Sequence, residues 1–487
     1  MTATKSILAF GLVLVSLPCF AQPDYLRYGT PLSVAEPDPA IATALTTIQP
    51  ASIQKTIETL VSFGTRSTLS SIETDLPPGK GINAAADWIE GQLNAISKEC
   101  GGCLEVKRDV FTADQTSGGR WAGRIPRPTE ITNVYAILRG YDPEEANRMV
   151  LVTGHYDSLN SRLFDDHGAA PGANDDASGV AVSLECARAL SKLRFPSSIV
   201  FAAVAGEEQG VIGSGHLAKL AREEGWQLDG VLNNDIVGGN TTPGDPLQLR
   251  DRVRVFSEGV PATATTDEVG RIRAVGGEND SPSRELARAI AAAARSYFTA
   301  DGSTPSFSAF LVMRPDRYLR GGDHMSFNQE GVAAVRFTEW REDFNHQHQN
   351  VVRPAAGSNA PVLGDLLEFV DFTYVAQVAR LNAATLATLA AAPGPPEHVK
   401  FETKGMKGLE NSTTLTWEAP QGGRVAHYQV VWRETTAPDW QFGTDVDPPA
   451  TGAEVQVTVP ISKDNVIFGV RSVDAKGHAS LVKVPLM

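Results

Sequence analysis

The chain has 487 residues, 42% of them hydrophobic and 21% charged, with a formal net charge of −14. Such a composition belongs to a globular protein, and the length exceeds one ordinary core, so a large body with an accessory module is expected. The acidic balance and the lack of a clustered Lys/Arg run exclude a nucleic-acid-binding surface, which must meet phosphates with cations.

The first element is an apolar run over 7–15, preceded by Lys5 and followed by small or turn-forming residues up to Ala21 and Gln22. This is the plan of a secretory signal over 1–21, and it predicts a secreted or periplasmic protein. The run is shorter than the roughly 20 residues that span a bilayer, and no other segment is long and apolar enough, so no membrane span is expected once the signal is cleaved. Residues 22–49, rich in Pro, Ala and Thr, read as an N-terminal arm or propeptide.

Helical periodicity appears over 53–63 and 82–96. Between that second helix and the first strand lies Cys100-Gly101-Gly102-Cys103. In an oxidising compartment this pair is expected to close a local disulfide, the glycines permitting the tight turn. A lone CxxC is weak evidence for zinc. Cys186, inside a helical run over 180–193, is expected to be buried and inert.

Strand-like runs follow at 104–111 and 131–138, and then short apolar strands at 149–153, 199–205, 230–233 and 332–337 alternate with helices such as 180–193 and 284–297. Strands without polar alternation are covered on both faces. The body is therefore read as α/β, with a mixed, largely parallel central sheet flanked by helices, over 50–392. Pro393-Gly394-Pro395-Pro396 reads as a linker, and beyond it short β segments over 413–417, 428–433, 454–459 and 466–473 predict a C-terminal all-β sandwich over 393–487.

Ligand-type side chains come directly after the apolar strands, where an open α/β sheet binds its ligands. The run 149–153 is followed by Gly154-His155-Tyr156-Asp157-Ser158, in which His155 can bind a metal through one ring nitrogen while Asp157 takes the other N–H. An isolated pair of this kind reads more readily as a satisfied surface histidine. Asn174-Asp175-Asp176-Ala177-Ser178-Gly179 opens a helix, where aspartates can cap the helix or bridge two cations. After 199–205 come Glu207 and Glu208, whose mutual repulsion calls for a cation or a proton. One can ligate metal while its neighbour takes a proton from water, as metal-assisted hydrolysis requires. The strand through Leu232 delivers Asn233-Asn234-Asp235, and late histidines occur at His324, His346 and His348. Each cluster alone is a weak signal, but four consecutive strand ends offering ligand types form a joint one.

The order HxD, DDxSG, EE, ND, DHxxF and a late histidine resembles metallopeptidase family twenty-eight, the zinc aminopeptidases that include bacterial leucyl aminopeptidase. The likeness covers roughly 53–391, and it implies a zinc-peptidase fold of the phosphorylase/hydrolase type holding two zinc ions. By resemblance His155 and Asp235 hold one zinc, Glu208 and a late histidine the other, and Asp175 bridges them. Glu207 is then the general base and Asp157 the partner of His155, acting on a water held between the metals. The family's usual Tyr-His-Thr-Pro is replaced by Asn345-His346-Gln347-His348-Gln349, in which His348 matches the family histidine better than His346. The DHxxF segment at His324 lies near substrate in the family, without ligating metal. His167, His216, His398, His427 and His478 are read as surface or structural.

The resemblance implies peptide substrates and removal of N-terminal residues. Arg314, Arg317 and Arg320 keep a zinc carboxypeptidase as an alternative, because they can bind a terminal carboxylate. Cobalt or manganese can occupy such ligands in place of zinc. A non-catalytic exported binding or adhesion protein is the rival of another class, and it would be expected to have lost Glu207 or a ligand. Trp417, Tyr428, Trp432 and the closing Phe468-Gly469-Val470-Arg471-Ser472-Val473-Asp474 resemble a fibronectin type III module, a type of domain that can bind a surface or polymer.

Overall fold

A computed structural model describes residues 22–298, 306–403, 410–449 and 454–485; the export segment read at 1–21 lies outside the described residues. The body is built on eight strands: β1 Leu104–Ala113, β2 Thr129–Leu138, β3 Arg148–His155, β4 Ser198–Val204, β5 Gln227–Asn234, β6 Arg252–Ser257, β7 Ser308–Val312 and β8 Ala334–Thr338. They lie in the order β1-β2-β4-β3-β5-β8-β6-β7. The centre is parallel, through the pairs β4–β3, β3–β5 and β5–β8. The flanks turn antiparallel at β1–β2, β2–β4 and β8–β6. The architecture is thus the mixed α/β sheet that the apolar runs imply.

Every residue of β3 and of β4 is buried, which is why neither shows polar alternation. The period of two survives in what each side chain touches. Val150 and Val152 pack into the larger core with the helices Pro50–Ser62, Gly81–Glu99, Ala177–Leu190 and Phe372–Ala391. Met149 and Leu151 face a smaller core closed by Leu217, Ala218 and Phe327, from the helices Ile212–Glu223 and His324–Gln329. The sequence reading did not include β6, which alternates charged and apolar residues, or β7, whose short apolar run Ala309–Val312 lies at the sheet edge. In β6, Arg252 and Arg254 are half-buried while Val253 and Val255 are buried, and β7 has no buried residue.

Cys100 and Cys103 form a disulfide, and Cys186 is a buried free thiol. Among the described residues no helix is long and apolar enough to cross a membrane.

The last long helix ends at Ala391, and two antiparallel sheets follow. One joins Glu397–Phe401, Thr413–Glu418 and Val455–Val459; the other joins Phe442–Val446, His427–Glu434 and Val466–Val473. Trp417, Tyr428, Trp432 and Phe468 fill the core between them. The short strand Thr30–Pro31 adds itself to the second sheet beside Phe442 and Gly443, and Trp432 Nε1 donates to the Tyr25 carbonyl at 3.0 Å. Polar contacts tie this region to the body: Arg433 pairs with Asp280, Arg424 with Glu145 at 3.2 Å, and Trp440 Nε1 donates to Glu285 at 2.9 Å.

Candidate metal centre

Three neighbouring parallel strands and one helix deliver the site. β3 ends on His155, β4 runs into Gly206-Glu207-Glu208, β5 runs into Asp235, and the helix Ala177–Leu190 begins just after Asp175 and Asp176. Glycines let these parts close up. A Cβ on Gly179 would overlap the Asn234 carbonyl, and one on Gly154 would stand 2.5 Å from the Gly179 backbone, so the helix start sits directly against the strand ends. Gly206, at φ +77°, turns the chain out of β4 in a conformation that favours glycine. The peptide bond Asp175–Asp176 is cis.

The two aspartates divide the capping and ligand roles, with Asp175 in the place that the family resemblance implied. Asp176 is the cap: its Oδ1 accepts from Gly179 N at 2.9 Å and its Oδ2 from His155 N at 3.0 Å. Asp175 points into the cavity, with Oδ1 at 3.1 Å from His155 Nε2 and Oδ2 at 2.9 Å from His348 Nε2. Asp235 Oδ1 lies 3.9 Å from His155 Nε2, and Glu208 Oε1 lies 3.0 Å from His348 Nε2. Two trios result, His155/Asp175/Asp235 and Asp175/Glu208/His348, with the offered atoms of each within 4.8 Å of one another. Asp175 is common to both.

Between the two late histidines, geometry discriminates. His348 reaches Asp175 and Glu208, whereas His346 stacks on Phe369 at 3.6 Å and turns its Nδ1 toward Asp343 at 3.8 Å. Glu207 lines the same cavity as the ligand-type residues. His324 is fully buried with Nε2 2.8 Å from the Pro315 carbonyl oxygen, while Gly322, Met325 and Ser326 of the same segment line the cavity.

Asp157 does more than the sequence suggested. It meets His155 Nδ1 twice, through its carbonyl oxygen at 3.1 Å and its Oδ1 at 3.3 Å. It also accepts the backbone N–H of Glu207 at 3.3 Å and of Glu208 at 3.1 Å, and the Thr68 hydroxyl at 3.0 Å. One carboxylate therefore orients the imidazole and holds the paired glutamates.

Other supports gave no local signal. Asp365 accepts the backbone N–H groups of Asn174 and Asp175 at 2.8 and 2.7 Å. Arg66, wholly buried, donates to the carbonyls of Tyr156, Leu60, Pro171 and Gly172 at 2.6–3.0 Å. Arg336 binds Asp235 Oδ1 at 2.7 Å. That arginine did leave a trace, because a charge inside the apolar run Ala334-Val335-Arg336-Phe337 needs a buried partner.

Burial pushes the carboxyls of Glu207 and Glu208 up from their ordinary range. Burial also opposes charge on His155 and His348, but their carboxylate neighbours outweigh it and raise both. A divalent cation would relieve the repulsion among these buried carboxylates. Buried imidazole and carboxylate donors in two trios, with the far nitrogen of His155 already held, fit zinc.

Residues 133–360 match the family model described as Peptidase family M28. The chain is 42% identical to a protein of Leptosphaeria maculans named "Probable zinc metalloprotease", over 92% of this chain and 97% of that one. A Pyricularia oryzae protein of the same name is 43% identical over 94% of this chain and 86% of its own. Among solved structures the Legionella pneumophila LapA aminopeptidase is similar, at 18% identity, 80% coverage of each chain and a TM-score of 0.46. On the strength of the family model and these full-length relatives, the chain belongs to peptidase family M28, as a metallopeptidase.

Proposed function

We propose that the protein is an exported, dinuclear zinc exopeptidase that removes N-terminal residues from peptides. The observation that carries the reading is the pair of ligand trios sharing Asp175, with Glu207 in the same cavity. His155 and Asp235 would hold one zinc, Glu208 and His348 the other, and Asp175 would bridge. The names of the full-length relatives support zinc. Bound there, zinc supplies Lewis acidity that activates water and polarises the scissile carbonyl.

The chain's own residues do the rest. Glu207 takes the proton of the attacking water and returns it to the leaving amine. Asp157 keeps the proton of His155 on Nδ1, leaving Nε2 free to ligate, and fixes the backbone that carries Glu207 and Glu208. Polarity, N-terminal rather than C-terminal, rests on the resemblance of the motif order to the leucyl aminopeptidases.

In this reading residues 1–21 are a signal for secretion or for the periplasm, and 50–392 form the catalytic domain. Residues 393–487 are a fibronectin type III-like module suited to holding a surface or polymer. The strand Thr30–Pro31, paired into the second β sheet, supports 22–49 as a packed arm rather than a discarded propeptide.

Glu207→Gln tests the mechanism: turnover is expected to fall by about 10²-fold or more while zinc content is kept. Wild-type turnover in that variant would remove Glu207 from its role. Peptides blocked at either end, assayed on the wild type, test polarity: an N-terminal block should stop cleavage and a C-terminal amide should not.

A further inference from the structure

The cavity that holds the candidate centre has a volume of about 970 Å³ and extends well beyond the ligand trios. Besides Arg317, its wall carries four cations: Arg120, Arg124, Lys219 and Arg320. Arg120 and Arg124 come from the segment between β1 and β2, and their guanidinium carbons lie over the Trp121 ring at 4.8 and 4.4 Å. Arg320 comes from the segment before the helix His324–Gln329, with its guanidinium carbon 5.2 Å from the Phe344 ring centre. The two segments meet, since a Cβ on Gly321 would stand 3.3 Å from Arg120 Nη2.

Among the described residues, none of these four has a carboxylate within 4.0 Å. Arg317, three residues before Arg320, is by contrast engaged by Asp316 at 3.2 Å and Glu342 at 2.6 Å, and Arg314 lies over Tyr318 outside the cavity wall. Aromatic rings orient the guanidinium groups without neutralising them. A chain with 57 acidic residues against 43 basic ones has thus left uncompensated cations at the cavity that holds its candidate centre.

We infer that this wall is a subsite for a carboxylate of the peptide substrate, with Arg120 and Arg320 as specificity-determining residues. The inference rests on the two-zinc reading above and deepens it. With two divalent cations bound, their four positive charges offset Asp175, Glu207, Glu208 and Asp235, and the fifth lining carboxylate, Glu330, is paired with Arg222 at 2.5 Å. The arginines are then the dominant charge a substrate meets, in a concave wall that focuses their field. Arg124 is less free for this, since its Nη1 donates to the Glu208 carbonyl at 3.1 Å. The carboxylate can come from an acidic side chain or from a free C-terminus.

Binding to the zinc-loaded full-length Glu207→Gln protein, measured by calorimetry, tests this without requiring hydrolysis. Three tetrapeptides serve as probes: a neutral one with an amidated C-terminus, the same with glutamate at its third position, and the neutral one with a free C-terminus. An acidic probe is expected to bind about tenfold tighter than the neutral amide at low salt. That advantage should shrink at about 0.5 M salt and fall below about threefold when Arg120→Gln and Arg320→Gln are added. Tightening by glutamate assigns the subsite to side chains, and tightening by the free C-terminus assigns it to the terminal carboxylate, the carboxypeptidase arrangement. Equal affinities for the three probes, no binding at all, or an advantage that persists in the double-arginine variant would overturn the inference. A wild type that binds the acidic probe selectively but cleaves none of them would instead refute the peptidase mechanism alone.

Discussion

Asp157→Asn changes one oxygen to an amide group and almost no volume, so its effect isolates what the carboxylate does. Oδ2 takes the two shorter bonds, from Thr68 at 3.0 Å and Glu208 N at 3.1 Å, and the asparagine oxygen should occupy that place. The new NH₂ then faces His155 Nδ1 and the Glu207 N–H, both 3.3 Å from Oδ1, and donor meets donor. Two buried contacts become repulsive, at about 1–3 kcal/mol for each unpaired group. The Asp157 carbonyl, 3.1 Å from His155 Nδ1, still accepts that ring proton, which limits the loss at the metal. Zinc affinity, measured by competition with a chelator, is therefore expected to fall about tenfold, the lower end for a residue supporting a ligand. Turnover at saturating zinc should fall further, to roughly a hundredth of wild type, because the backbone under Glu207 and Glu208 is released. A folded Asp157→Asn protein with wild-type zinc affinity and turnover would refute the account of how this site is supported.

Arg66→Met should cost about 3 kcal/mol or more of stability in denaturant unfolding, since four carbonyls lose their buried donor; an unchanged midpoint would contradict this. Burial raises the Glu258 carboxyl to about 7. Its contribution to stability is therefore full below about pH 4.5 and is lost as pH rises through about 7. Glu258→Gln should be more stable than wild type at pH 8 and should lose that advantage toward pH 5, in paired unfolding curves.

Legibility followed the range over which each feature is determined. β3 and β4 could be read because burial on both faces writes a continuous apolar run into the chain, and the ligand-type residues could be read because they stand directly after such runs. β6 and β7 lie toward the far edge of the sheet, where β6 alternates Arg and Val and the short apolar run of β7 has no buried residue. Residue type alone does not separate Asp175 from Asp176, since either aspartate can cap a helix; the family resemblance pointed to Asp175, and the geometry places it in the cavity. His346 and His348 both follow β8, and only the loop's path decides which one faces Asp175. Asp365 meets the backbone of Asp175 from 190 residues away, and Thr68 meets Asp157 from 89 away. Contacts at such separations leave no pattern in a local window. The cations of the cavity wall show the same limit: Arg120 and Arg320 are far apart in sequence and meet only through two folded segments.

The central claim is a pair of zinc sites sharing Asp175, and metal content of the purified full-length protein tests it most directly. The account predicts two zinc ions per chain, one in His348→Ala, and two in His346→Ala. A folded wild-type protein that binds no zinc, or a His348→Ala protein that keeps both ions while His346→Ala loses one, would contradict it.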